Sequence, residues 1–214
     1  MNVKLIETLP LEDAIWRLRD AGLDAAGNQC IPVYHNAIIR LGDYMAYELN
    51  PTSLYVLRKN YEIQRDLRAI LLDTYGIDTL RLDCVLKLES DGKIIGMAPP
   101  FVEVYEERVR ILPKEGDREP PQELWLRIPM LKDGIHRGWL ARQLGVPLRC
   151  VVASDTPREH APYIYPNEWS QVAVYDTVPS VKKFYRRQNP YTFMRPLQVL
   201  RQVDDKAPQV QWGR

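Results

Sequence analysis

Up to Tyr75 the apolar positions of this chain recur at helical intervals. Beyond Ile77 they alternate with polar ones, as in strands. Leu9-Pro10-Leu11-Glu12-Asp13 leads into Ala14, Ile15, Leu18 and Leu23, with Arg17, Arg19 and Asp20 on the opposite side, which predicts an amphipathic helix. Gly22 and Gly27-Asn28 offer stops for it. Val33 to Tyr47, with Ile38, Ile39, Leu41, Met45 and Tyr47 apolar, is expected to form a second helix. Asn50-Pro51-Thr52-Ser53 reads as a break and a new cap. A third helix then runs from Leu54 to Tyr75 through Leu57, Tyr61, Leu67, Ile70 and Leu71, and ends at Gly76.

The alternation from Thr79 to Leu88 sets Leu80, Leu82, Cys84, Leu86 and Leu88 against Arg81, Asp83 and Lys87, which predicts a half-buried strand. Ser90-Asp91-Gly92-Lys93 carries a hairpin signal, with Ile94 to Met97 as the return strand. Pro99-Pro100 interrupts, and Phe101 to Tyr105 resumes as strand. A turn at Glu106-Glu107 is expected to lead into Arg108 to Leu112. A polar loop spans Pro113 to Gln122, and Glu123 to Leu131 is strand again. Lys132-Asp133-Gly134 then makes a turn into a short helix, Ile135 to Leu144, with Trp139, Leu140 and Leu144 inward. Gly145 ends that helix, and Leu148 to Ala153 is a strong apolar strand. From Ser154 onward Pro162, Pro166, Pro179, Pro190 and Pro196 fragment the chain, leaving Ser180 to Arg187 as a short helix and the last residues as a flexible end.

Composition narrows the function classes. With 45% apolar residues the 214-residue chain can build a sizeable core. Its 29 basic and 28 acidic residues give a net charge of +1, so nucleic acid or a membrane surface would have to be met by a local patch. Cys30, Cys84 and Cys150 are odd in number, far apart and free of any CxxC pairing, which fits reduced thiols in a soluble, cytoplasmic protein. No apolar run is long enough for a membrane helix, and Met1 to Pro10 lacks the pattern of a signal peptide.

The strongest candidate chemistry lies at Asp133-Gly134-Ile135-His136-Arg137. A glycine between a strand and a helix leaves backbone N–H groups pointing outward at the positive end of the helix dipole, which makes an anion site. Arg137 offers a planar fork for a phosphate, His136 a hydrogen bond or a proton, and Asp133 a base or a magnesium ligand. The same five residues also suit an ordinary solvated turn.

The flanks of that turn carry a resemblance. Pro99-Pro100-Phe101-Val102-Glu103 precedes the strand ending at Asp133-Gly134; a helix containing Ala141 follows, then Gly145-Val146-Pro147 and an apolar strand. From about Leu80 to Ser154 this order resembles the core of the ParB/sulfiredoxin superfamily. Sulfiredoxins carry Gly-Cys-His-Arg at the turn; Ile135 here removes the thiol nucleophile. Partitioning ParB proteins carry Gly-Glu-Arg-Arg and bind CTP; Ile135 and His136 depart from that, and no helix-turn-helix follows. The pattern Asp-Gly-x-His-Arg is similar to that of ParB-like proteins with free-serine kinase activity and of DNA-modification-associated relatives. The resemblance implies ATP or another nucleoside triphosphate with Mg²⁺, held by Gly134, Ile135, His136 and Arg137. It implies Asp133 as base, with a magnesium ion beside it and His136 next to it; the second carboxylate of the kinases has no motif here, and Glu103 is taken for it from its position after Pro99-Pro100 alone.

Other constellations weigh less. His35, His136 and His160 lie too far apart for a zinc motif. Cys150 reads as a small core residue. Lys182-Lys183-Phe184-Tyr185-Arg186-Arg187, followed by Tyr191, Phe193 and Arg195, interleaves cations with aromatics, so Lys182, Lys183, Arg186 and Arg187 can track a nucleic-acid backbone or form a packed surface helix. Tyr163, Tyr165, Trp169 and Tyr175 are expected to cover the core. The N-terminal helices suit core or a homodimer surface better than a membrane, since their polar faces are mixed in sign.

The expected fold is α+β: a helical N-terminal extension over 1–77, a ParB/sulfiredoxin-like mixed-sheet core over 78–154, and an irregular Pro/Tyr-rich segment over 155–214. The expected function is nucleotide binding with ATP-dependent phosphotransfer or hydrolysis, as a kinase or NTPase. The alternative is a non-enzymatic DNA-associated regulatory or modification-system component; a ParB-like nuclease is a weaker third reading.

Overall fold

The computed structural model describes residues 2–22, 24–26, 29–111, 122–157, 166–180 and 196–203. Its strands and helices follow in the order β1 (Val3–Leu9), α1 (Leu11–Asp20), β2 (Asp24–Ala26), β3 (Gln29–Ile31), β4 (Ile38–Tyr44), β5 (Asn50–Pro51), β6 (Tyr55–Leu57) and α2 (Arg58–Tyr75). Then come β7 (Val85–Ser90), β8 (Lys93–Met97), β9 (Phe101–Ile111), β10 (Gln122–Asp133), α3 (Ile135–Leu144), β11 (Leu148–Ser154), β12 (Ala173–Tyr175) and α4 (Pro196–Leu200). The expected α+β class with a mixed sheet holds.

The central layer is a five-stranded sheet in the order β4-β11-β9-β10-β5, with β9 and β11 parallel and β9 and β10 antiparallel. Alternation along its strands feeds two cores. Phe101, Val151 and Ala153 face α1, Tyr34 and the α4 residues Val199 and Leu200. Val102, Leu131, Cys150 and Val152 face Leu140 and Ala141 of α3, Val56 and Trp169. A second sheet, β1-β7-β8, packs Leu86 and Leu88 against Leu67 and Leu71 of α2.

Several local expectations hold. The β7–β8 hairpin turns at Asp91 and Gly92, both at positive φ, the backbone that an Asp-Gly pair favours in a two-residue hairpin. Gly76 and Gly145 end α2 and α3 in the left-handed conformation.

Others are corrected. Val33–Tyr47 is not a helix: Ile38–Tyr44 is strand β4, paired along its length with β11. Ile39 and Leu41 pack on the α1 side of the sheet and Tyr44 on the α3 side, a period of two that the adjacent Ile38 obscures. The helix expected from Leu54 begins at Arg58, because Tyr55–Leu57 pairs instead with β12. The alternating stretch from Thr79 becomes strand only at Val85. There is no turn at Glu106-Glu107, since β9 runs unbroken to Ile111 beside β10. Residues Val3–Leu9, expected within the helical extension over 1–77, form a strand that pairs with β7. Leu144 points outward rather than in. Trp169 does cover the core, whereas Tyr175 is exposed; Tyr163 and Tyr165 lie outside the described residues.

Candidate functional site

The corner forms where β10 ends. A bulge at Lys132 sets both Lys132 and Asp133 against Phe101 of β9. Gly134 follows at φ 96°, and the first α3 hydrogen bond runs from the Gly138 N–H to the Gly134 carbonyl at 2.9 Å. A Cβ on Gly134 would lie 2.6 Å from the Pro100 Cβ, and Pro100 is itself pinned through its carbonyl by the Val151 N–H at 2.8 Å. Both the φ and the close approach therefore require glycine. One turn on, a Cβ on Gly138 would meet the Leu131 Cδ2 at 2.6 Å, so α3 lies directly against the strand that leads into it.

Arg137 is only 4% exposed, among the side chains under α3. Its Nη1 has no hydrogen-bond partner among the described residues. Burial lowers its pKa to about 10, with Cys150 and Asp133 working against that shift and Arg201 adding to it. It therefore remains a cation at neutral pH. A buried guanidinium N–H left without an acceptor is costly, and a bound anion would remove that cost.

The neighbours are committed differently. Asp133 is buried, and its Oδ2 accepts the Leu197 N–H of α4 at 3.3 Å. His136 accepts the Leu57 N–H on its Nε2 at 3.2 Å, so the ring is neutral and Nδ1 carries the proton. Burial lowers its pKa in agreement with that. His136 thereby ties α3 to the start of α2. Ile135 packs into the core under α3.

Glu103 lies on the other side of the sheet from Arg137. Its fully buried carboxylate accepts the Tyr34 hydroxyl at 2.6 Å and the Lys132 ammonium at 2.7 Å, both on Oε2. Lys132 also donates to the Tyr34 oxygen at 3.0 Å. Thr156 approaches Oε1 at 3.5 Å. Lys132 and Tyr34 were not singled out from sequence. The bulge that turns Lys132 toward Glu103 leaves no signature in residue spacing, and Tyr34 arrives from a distant loop.

Lys182, Lys183, Arg186, Arg187 and His160 lie outside the described residues. Cys150 is buried in β11 with its thiol pushed up to about 12 by desolvation, as a core residue would be. Among the described residues no group of three or more His, Cys, Asp or Glu side chains is placed to hold a metal ion. Magnesium in a nucleotide site needs only one or two carboxylates besides the phosphates, so Asp133 alone is compatible with it. No described helix is long and apolar enough to cross a membrane.

Fold and corner together define an α+β domain of ParB type, built around a strand–glycine–helix turn. The chain matches the family model of the ParB CE domain over residues 13–173 and belongs to that family. That match extends well beyond the Leu80–Ser154 core to take in most of α1, strands β2 to β6 and α2. Searches of curated proteins and of solved structures found no match.

Proposed function

We propose that the corner at Gly134 binds the phosphates of a nucleoside triphosphate, ATP with Mg²⁺ in the simplest case, and that the chain transfers or hydrolyses the terminal phosphate. The observation that carries this reading is Arg137: a buried cation without a hydrogen-bond partner for Nη1, one turn into a helix whose N-terminal glycine faces the strand end. Phosphate oxygens would accept from the backbone at Gly134 and Ile135 and from the guanidinium. Asp133 is the candidate base and magnesium ligand. An acceptor hydroxyl bound to its Oδ2 would displace the Leu197 N–H now there. In such chemistry positioning and neutralisation of charge supply most of the acceleration. His136, engaged with Leu57, serves this reading by fixing α3 rather than by touching phosphate.

Thermal unfolding of the full chain with ATP, CTP and GTP, with and without Mg²⁺, tests it. Binding to the folded state raises the melting temperature by mass action. A nucleotide-dependent rise that disappears in Arg137→Ala is the expected result. No rise with any nucleotide, or an equal rise in Arg137→Ala, overturns the proposal.

Membership of a ParB-type family favours a second reading, association with DNA. The basic-aromatic stretch from Lys182 to Arg195 is where sequence puts that contact. A salt-dependent gel shift, lost on charge reversal at Lys182, Lys183, Arg186 and Arg187, is its expected signature.

A further inference from the structure

Helix α4 lies outside the stretch that matches the family model, which ends at residue 173, yet it reaches the carboxylate of the corner. The Leu197 N–H in its first turn donates to the Asp133 Oδ2 at 3.3 Å. With that contact made Asp133 is only 8% exposed, whereas Gly134 and Ile135 next to it are half-exposed. The corner is therefore unequally open. The residues offered to phosphate are reached from solvent; the carboxylate offered to an acceptor is not.

What holds α4 in place is limited and can be named. The helix is five residues long. Val199 and Leu200 join the core formed with α1, Ala98 and Phe101. Just past the helix the Gln202 carbonyl accepts from the Arg17 Nη2 at 3.0 Å. The Arg201 carbonyl fills a notch left by Gly96, where a Cβ would lie 1.7 Å from it. A short segment docked by a few side chains belongs to the low end of local stability, from which lids are drawn. An N–H at a helix start and a carboxylate suit each other, so Asp133 steadies α4 while α4 covers Asp133.

We propose that α4 is an intrachain strap over Asp133: with α4 docked the corner takes up nucleotide but withholds its base, and transfer begins when α4 lifts. The consequence for catalysis rests on the phosphotransfer reading above, while the covering of Asp133 stands on the geometry. In the open state the acceptor hydroxyl gives its proton to Asp133 as its oxygen bonds to the terminal phosphorus. The nucleoside diphosphate leaves with the electron pair of the broken P–O bond. Opening of α4 then limits turnover.

Two substitutions loosen α4 without touching the corner. Gly96→Ala sets a methyl group against the Arg201 carbonyl, and Val199→Asp puts a charge into the α1-side core. Each full-length variant is compared with the wild type in three ways. Circular dichroism reports the fold, and amide hydrogen exchange over residues 196–203 reports α4. Carbodiimide coupling of glycinamide, mapped by mass spectrometry, reports access to the Asp133 carboxyl. Exchange and Asp133 labelling are expected to rise together, each at least about tenfold. Phosphate release from ATP with Mg²⁺ should rise too, with the midpoint for nucleotide binding unchanged. Fast labelling of Asp133 in the wild type overturns the strap, as does labelling that stays slow although α4 exchanges faster. Lower phosphate release from a loosened α4 overturns it as well. So does an α4 that neither substitution loosens, or loss of the whole fold in both variants, since α4 is then part of the frame. Labelling needs no nucleotide, so a chain that binds none sinks the phosphotransfer reading and leaves the strap to be decided at Asp133.

Discussion

Two cations flank the end of β10, one on each side of the sheet, and they are treated in opposite ways. On the α1 side, the Lys132 ammonium meets the Glu103 carboxylate and the Tyr34 hydroxyl within 3.0 Å. On the α3 side, the Arg137 guanidinium is more deeply buried, yet its Nη1 has no partner among the described residues. A charge that is paired and fully hydrogen-bonded holds strands together, whereas a buried cation with a donor left over has room for a further acceptor. The difference teaches which cation belongs to the frame and which to the site.

Substitutions can break this contrast. Glu103→Met should have the largest effect, because it strands Lys132 and the Tyr34 hydroxyl without their acceptor; a loss of about 3–5 kcal/mol in denaturant unfolding is expected. Lys132→Met should cost nearly as much, and the double variant Glu103→Met/Lys132→Met less than either alone, which a double-mutant cycle would reveal. Gly134→Ala comes next. Its Cβ would collide with Pro100 at a backbone angle that L-residues avoid, so a loss of about 1–3 kcal/mol is expected together with loss of nucleotide binding. Arg137→Met should reverse the sign. Removing a buried cation with an unsatisfied donor should leave unfolding unchanged or raise stability by about 1 kcal/mol, while nucleotide binding is expected to be abolished. If Arg137→Met destabilises as strongly as Lys132→Met, the two cations are equivalent and the contrast fails.

The smallest effect concerns acid. The folded pKa of His136 lies below the ordinary 6.5, held down by burial. As pH falls below 6.5 the unfolded chain takes up this proton first, so stability declines until pH reaches the folded value and changes no further from this source. Protonation also removes the acceptor for Leu57. His136→Gln, which keeps an acceptor but does not titrate, should flatten the melting temperature between pH 7.5 and 5.5 (an interval of about two units around the ordinary histidine range).

Much of the corner was legible in the chain because its determinants are local. Asp91-Gly92, Gly145 and the Asp133-Gly134 step each specify backbone geometry by themselves, and the structure places a turn, a helix end and a helix start there. Strand β4 was misread because Ile38 and Ile39 are adjacent, so the apolar count satisfies a helix while only Ile39 and Leu41 enter the α1-side core. What pairs with Glu103, and that His136 is spent on Leu57, are outcomes of long-range contact with no trace in spacing. The unsatisfied Nη1 of Arg137 was equally hidden, since sequence marks a cation but not which of its donors lacks an acceptor.

The docking of α4 has a consequence for synthesis. Val199 and Leu200 are buried against α1, and a Cβ on Gly96 would sit 1.7 Å from the Arg201 carbonyl, so β8 carries a notch shaped for this segment. The layer begun by Leu11, Ala14 and Leu18 is thus closed by residues made almost two hundred positions later. A nascent chain halted at Ser180 would hold the apolar stripe of α1 uncovered, and would present itself to chaperones and proteases as unfinished until the ribosome had released Leu200.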